Sequence, residues 1–121
     1  MRSWPSLVLV VALGCGNDRA VGDDEVDPDR CETSYLTYNN FGEPFALDWC
    51  RGCHSSDVPM NMRQKAPIDV NFDSHEDIMT WRERIESRAT GDEPTMPPAG
   101  GPGEAERALL GEWLACGARK Q

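Results

Sequence analysis

Five consecutive residues, Cys50-Arg51-Gly52-Cys53-His54, carry the densest chemistry in this sequence. Two thiols three positions apart, followed at once by an imidazole, place three potential ligands on one turn of chain. That order supplies what covalent haem attachment needs: two thiols to form thioethers with the vinyl groups, and a neighbouring imidazole aimed at the iron. Two other readings compete for the same residues. A thioredoxin-like dithiol should follow a strand in a β-α-β pattern, which this sequence lacks. A zinc site needs a fourth ligand, which only His75 could offer.

An iron bound by His54 has an opposite axial position, and the candidates for it are Met60, Met62, Met79, Met96 and His75. Met60 and Met62 follow His54 by only six and eight residues, a short path to the other face of a haem. Met79 stands beside Ile78 in a helical pattern and is expected in the core. His75 falls at a helix start, where exposure is expected, and a bis-histidine site stays open. Met96 lies in residues 91–103, of which 8 of 13 are Pro or Gly. A flexible linker would have that composition too. Pro97 and Pro98, however, fix the backbone beside the sulfur and limit how far a weak thioether ligand could drift from iron. A His/Met pair favours a higher potential.

These groups must be positioned by few elements. From Cys31 to about Cys116 the sequence offers a unit so small that a hydrophobic core alone would be marginal, and a cross-link, metal or cofactor is expected to complete it. Pro44 suits a first helical turn, and Phe45, Leu47 and Trp49 follow without a breaker up to Cys50. Ser74 with Asp77 resembles a capping box, and Ile78, Trp81, Ile85 and Ala89 recur at helical spacing before Gly91. A third helix is expected over about Glu104 to Cys116, with Leu109, Leu110, Trp113 and Leu114 on its apolar face and Gly117 as a cap. Ile68, Val70 and Phe72 alternate with polar residues, a short extended segment too isolated to make a sheet. The fold class expected is all-α, about three helices around one covalently bound haem with irregular loops.

The chain has 121 residues, with 21 acidic against 12 Lys and Arg and a formal net charge of −9. Such a surface does not attract phosphate backbones, which excludes nucleic-acid binding as the main activity. The acidity is unevenly spread. Residues 16–29 hold six acids and one base, whereas Arg30 to Gln121 hold 15 acids and 10 bases. Residues 1–14 read as a signal peptide: Arg2 precedes an unbroken apolar run, Leu7 to Leu13, far shorter than the roughly 20 residues needed to cross a bilayer. Ala12-Leu13-Gly14-Cys15 resembles the bacterial lipoprotein signal, which makes Cys15 the expected lipidation site. Residues 15–30 then form an acidic tether that cannot bury enough surface to order itself.

With these residues in place, the sequence resembles a small class I-type cytochrome c of the secreted or lipid-anchored bacterial kind. The resemblance spans about Tyr38 to Gly117. It rests on Tyr38-Asn39-Asn40-Phe41 and Pro44, the Cys50 to His54 motif, Ala66-Pro67, Met96-Pro97-Pro98, and Glu106-Arg107 through Leu114-Ala115-Cys116-Gly117. It implies that the helix before the motif packs on the C-terminal helix, bringing Leu47 and Trp49 near Leu110, Trp113 and Leu114. It further implies that the Pro67 carbonyl accepts the other ring N–H of His54, raising its basicity. Arg63 and Trp81 are the implied partners of the haem propionates, against the plainer roles of surface charge and core packing. Gly42 departs from the pattern and is expected to interrupt the helix before the motif.

Cys31 and Cys116 remain as a pair at the two ends of the domain, taken as 31–117 with a tail at 118–121. In an oxidising compartment they would pair, with two free buried thiols as the alternative. The function expected is electron transfer without catalysis, His54 and Met96 staying bound in both iron states. The partner expected is an extracytoplasmic redox protein with a basic docking face, met from a lipid-anchored, periplasmic position. A haem-based sensor in which Met96 dissociates is the second reading, and a structural zinc or disulfide module the third.

Overall fold

The computed structural model describes residues 27–121. The expected signal peptide, the lipidation site Cys15 and the tether as far as residue 26 lie outside the described residues. Four α-helices follow one another with no strand among the described residues, so the fold is all-α.

Pro28–Thr33 forms α1, where a tether was expected as far as Arg30. The Asp27 carboxylate accepts from the Asp29 amide at 3.1 Å, and Pro28 fills the first turn. So short a helix needs tertiary support. Arg30 supplies it through a 2.8 Å ion pair with Glu112, and Cys31 through its disulfide with Cys116 across a sequence separation of 85. A hydrogen bond from Ser34, with the nearby Arg30 and against the opposing effect of burial, holds the Glu112 carboxyl below its ordinary value.

The run into the cysteine motif is continuous. Thr37 and Asn40 cap each other's amides, a π-helical turn covers Tyr38–Gly42, and α2 spans Glu43–Trp49. Gly42 therefore does not interrupt the helix. Its backbone is helical, and an added Cβ would lie 2.4 Å from Cη2 of Trp113. The glycine is required by close approach, not by a break. Phe45 and Ala46 are buried, whereas Leu47 points outward and is 51% exposed, contrary to its expected place against the C-terminal helix.

Ser74 and Asp77 form the expected capping box of α3, His75–Ala89, which turns Ile78 and Ala89 into the core. Met79 does not join them, because one residue beyond Ile78 the helix already faces outward. Glu104–Ala115 forms α4, whose Leu110, Trp113 and Leu114 are almost wholly buried. Phe41 meets Trp113 edge to face at a centroid distance of 6.2 Å, and Trp49 Nε1 donates to Glu106 at 2.9 Å, so the π-helical turn and α2 both reach α4.

The chain end is part of the domain. Ala118 is fully buried, and the Arg119 carbonyl accepts from the Tyr38 amide at 2.7 Å and from Trp113 Nε1 at 3.2 Å. The boundary expected at 117 therefore moves outward. Residues 68–72 do not form one extended segment: the Val70 amide bonds to the Pro67 carbonyl at 3.2 Å, closing a turn over Ile68 and Asp69, with Ile68 exposed and Phe72 buried.

Two outcomes test this packing. Gly42→Ala should destabilise the domain by about 1–3 kcal/mol in urea unfolding, since the added methyl overlaps the buried Trp113 ring. Glu112 has a lowered folded-state value, so its contribution is present above the ordinary carboxyl value and is lost as pH falls through the lower one. Glu112→Gln should be less stable at pH 7 and lose less stability below about pH 4.5 than the parent; parallel stability–pH curves would remove Glu112 from the acid response.

Candidate functional site

The cysteine motif starts where α2 stops. The amides of Cys50 and Arg51 share the Ala46 carbonyl at 3.0 and 2.8 Å, and those of Cys53 and His54 share the Cys50 carbonyl at 3.1 and 2.9 Å. The five residues are thereby wound into one turn. Cys50, Cys53 and His54 come to line a single cavity of about 460 Å³, together with Phe45, Trp49, Val70, Phe72, Ile85 and, from a distant segment, Met96. Burial pushes the Cys50 thiol up to about 12. A thiolate nucleophile needs the opposite shift, so the surroundings disfavour the dithiol reading.

His54 is oriented by its second nitrogen. Nδ1 lies 3.0 Å from the Val70 carbonyl, which can only accept, so Nδ1 carries the proton and Nε2 keeps its lone pair. Phe72 packs against the ring at a centroid distance of 4.9 Å, and its amide bonds to the His54 carbonyl at 2.9 Å. Pro67 is not the acceptor that the resemblance implied. Its carbonyl accepts Arg63 Nη2 at 2.7 Å, while the turn from Pro67 to Val70 carries the chain onward until Val70 faces the imidazole.

Arg63 is neither a surface charge nor a free partner for propionates. Only 1% exposed, it donates from Nε to Ala66, from Nη1 to Ser55, and from Nη2 to the carbonyls of Pro67 and Val70 and to Asn71 Oδ1. All three guanidinium nitrogens are engaged by protein oxygens, none of them a carboxylate. The chain reaches this arrangement through positive φ at both Gln64 (51°) and Lys65 (71°). Left-handed backbone at two non-glycine residues is unfavourable by roughly 1–2 kcal/mol each, which the buried network must offset. Below it, Asp73 accepts from the Ser56 amide and hydroxyl at 2.8 Å and pairs with Arg51 at 3.3 Å, tying the motif to the residue 70–73 segment. Burial acts to raise the Asp73 carboxyl, but hydrogen bonds from Ser55 and Ser56 and the Arg51 charge outweigh it and leave the value lowered.

Met96 sits on a fastened loop. The amides of Thr95 and Met96 both bond to the Arg88 carbonyl at 2.8 and 2.9 Å. Arg107 Nη1 donates to the Met96 carbonyl at 2.8 Å and to Ala89 at 2.7 Å, and Nε reaches Pro102 at 3.2 Å. Gly101 adopts φ +151°, and a Cβ there would lie 2.7 Å from Pro97 Cδ. The segment is thus a strap between α3 and α4, not a linker. Sequence reasoning assigned no role to Arg107, and no local signal marks it, because its acceptors are carbonyls 5, 11 and 18 residues away.

The other axial candidates are elsewhere. Met60 and Met62 are 64% and 62% exposed, and neither lines the cavity. His75 Nε2 lies 2.7 Å from the Ala118 carbonyl and its ring meets Tyr38 at 5.3 Å, so it does not complete a zinc set with Cys50, Cys53 and His54. No group of three or more His, Cys, Asp or Glu able to hold a metal occurs among the described residues. Trp81 is half-buried on the cavity wall, with the Arg84 guanidinium 5.9 Å from its ring centroid. The charged residues of the wall are Arg63, Lys65, Arg84 and Arg88, with no acid. Lys65, Arg84 and Arg88 are exposed and belong to no ion pair among the described residues. An acidic chain therefore lines its cavity with cations and no acid.

Comparisons with protein-family models, with curated proteins and with solved structures find no match to this chain.

The strap can be tested alone. Arg107→Ala should destabilise the domain by about 1.5–3 kcal/mol, the range for hydrogen bonds to a charged group. Amide exchange at Thr95 and Met96 should accelerate more than at Ile78, which is buried in α3; uniform acceleration would indicate general loosening and no strap.

Proposed function

We propose that the protein is an electron carrier with one covalently attached haem, held by thioethers from Cys50 and Cys53 and by His54 and Met96 on the iron. The observation that carries the reading is convergence. Two thiols, an imidazole whose Nε2 lone pair is free, and a thioether 42 residues further along the chain line one apolar cavity. Its volume of about 460 Å³ falls within the roughly 300–1,000 Å³ range of cofactor sites. The donor set suits haem iron, and the three exposed cations at the wall suit a cofactor bearing two carboxylates.

Bound there, haem would supply a one-electron Fe(III)/Fe(II) couple. The chain's own residues do the rest. Cys50 and Cys53 would hold the haem, each through a thioether to one vinyl group. Val70 holds the His54 tautomer that leaves Nε2 as the donor. Arg88 and Arg107 fix the backbone on either side of the Met96 peptide, which supports a thioether that stays bound in both oxidation states. That fastening favours the carrier over the sensor reading, in which Met96 would have to leave. Phe45, Trp49, Val70, Phe72 and Ile85 give the cavity an apolar lining.

Lys65, Arg84 and Arg88 take over the propionate role for which the resemblance had suggested Arg63, while Trp81 contributes wall area beside Arg84. An extracytoplasmic redox protein is the proposed partner, reached from a lipid anchor at Cys15. A partner at the cavity mouth meets those cations first, so the domain's net acidity does not set the sign of that contact.

The test is expression with a haem-attachment system. The purified chain should keep haem under denaturing conditions, show a six-coordinate low-spin spectrum in both oxidation states, and be inert to carbon monoxide. Cys50→Ser should keep haem through Cys53 alone, read as a red shift of the reduced pyridine haemochrome band because one vinyl group stays conjugated, and Met96→Ala should bind carbon monoxide rapidly. A chain without covalent haem would overturn the reading. An unchanged low-spin spectrum in Met96→Ala would overturn the axial assignment.

A further inference from the structure

We propose that Arg63 weakens the donor strength of His54 through a carbonyl that the two side chains share, and so raises the reduction potential of the iron. The inference rests on the haem reading given above. The shared atom is the Val70 oxygen, 3.0 Å from His54 Nδ1 and 3.1 Å from Arg63 Nη2.

A carbonyl that accepts from an imidazole N–H makes the ring more imidazolate-like and its other nitrogen a stronger donor to metal. A guanidinium on the same oxygen draws electron density into its own charge-assisted bond and leaves less for the imidazole. His54 then donates less to iron. The ferric state, which needs the donation more, loses more stabilisation than the ferrous state. The charge itself acts in the same direction. Arg63 is only 1% exposed, so water and salt screen it poorly, and a fixed positive charge disfavours the more positive of two iron states.

The surroundings of Arg63 keep that charge uncompensated. Residues 69–73 read Asp-Val-Asn-Phe-Asp, and the residue whose side chain meets the guanidinium is the neutral one, Asn71, with Oδ1 2.9 Å from Nη2. Asp69 is exposed, and Asp73 is taken by Ser56 and Arg51. In a segment with two carboxylates, neither is used to neutralise the buried cation. The Asn71 amide has a second bond, from Nδ2 to the Ile68 carbonyl at 3.1 Å, so it serves the loop as a donor as well as serving Arg63 as an uncharged acceptor. Arg63 is thus a positioning residue that acts on His54 through Val70.

The haem-loaded full-length chain provides the test, with midpoint potentials from spectroelectrochemical titration. Asn71→Asp retains an oxygen acceptor for Arg63 and adds a compensating charge, so the potential should shift downward with the low-spin spectrum intact. Arg63→Lys keeps the charge but cannot span the same carbonyls. It should lower the potential less and move the His54 Nδ1–H proton resonance downfield as that hydrogen bond strengthens. Lys120→Gln makes the same unit change of charge at an exposed residue outside the cavity wall and should leave the potential nearly unchanged. If Asn71→Asp shifts the potential no more than Lys120→Gln, or if Arg63→Lys leaves the Nδ1–H resonance in place, the inference falls while the haem reading stands. A wild-type chain that carries no haem removes both.

Discussion

A guanidinium taken out of water must find acceptors for its donors or destabilise the fold by several kcal/mol. Arg63 meets that requirement with no carboxylate at all, using backbone oxygens from Ser55, Ala66, Pro67 and Val70 and the side chain of Asn71. The acceptors come from both sides of the residue, so the chain from 55 to 71 has to curl around the cation. That curl forces the left-handed turn at Gln64 and Lys65, carries Val70 to His54, and seats Phe72 against the imidazole. One wall of the cavity is thus built around a charge where an apolar cluster would be usual.

The rest of the domain, behind the cavity lining, is built differently. Trp113 fills the space beneath Gly42, which sets how closely the π-helical turn before α2 approaches α4, and the disulfide and the Arg30–Glu112 pair draw α1 onto the same helix. The Met96 strap then closes the gap between α3 and α4 through carbonyls held by Arg107. In both halves an arginine bonded to backbone oxygens does the joining. This is economical for a small domain, because one planar side chain with five donors can satisfy several loop carbonyls that lack a helical partner. It also explains how a chain with so few large apolar residues leaves an apolar cavity open and still folds around it.

Much of this was legible from sequence. The helices at 43–49, 75–89 and 104–115 followed from local patterns: Pro44, the Ser74–Asp77 capping box, and the spacing of Leu110, Trp113 and Leu114. The pairing of Cys31 with Cys116 followed from what the other cysteines left over. The failures share a cause. Pro67 was named for a bond that Val70 makes, Arg63 was named for propionates although its three nitrogens are all engaged by protein oxygens, Arg107 was given no task, and the last four residues were set aside as a tail although Ala118 and Arg119 close the core. Each depends on which distant carbonyl a side chain meets, and periodicity carries no trace of that.

The partition follows from what side chains can announce. The order of two cysteines and a histidine, the lone methionine among prolines, and the helical stripes are properties of residue type and spacing, so the sequence by itself determined which donor groups are on offer and the helices that frame them. Every residue carries a backbone carbonyl of the same kind, and a cation has the same charge wherever it stands. Only the tertiary structure could decide that Val70 and not Pro67 faces His54, that Arg63 is buried while Lys65, Arg84 and Arg88 line the cavity, and that an acidic chain turns cations toward its site.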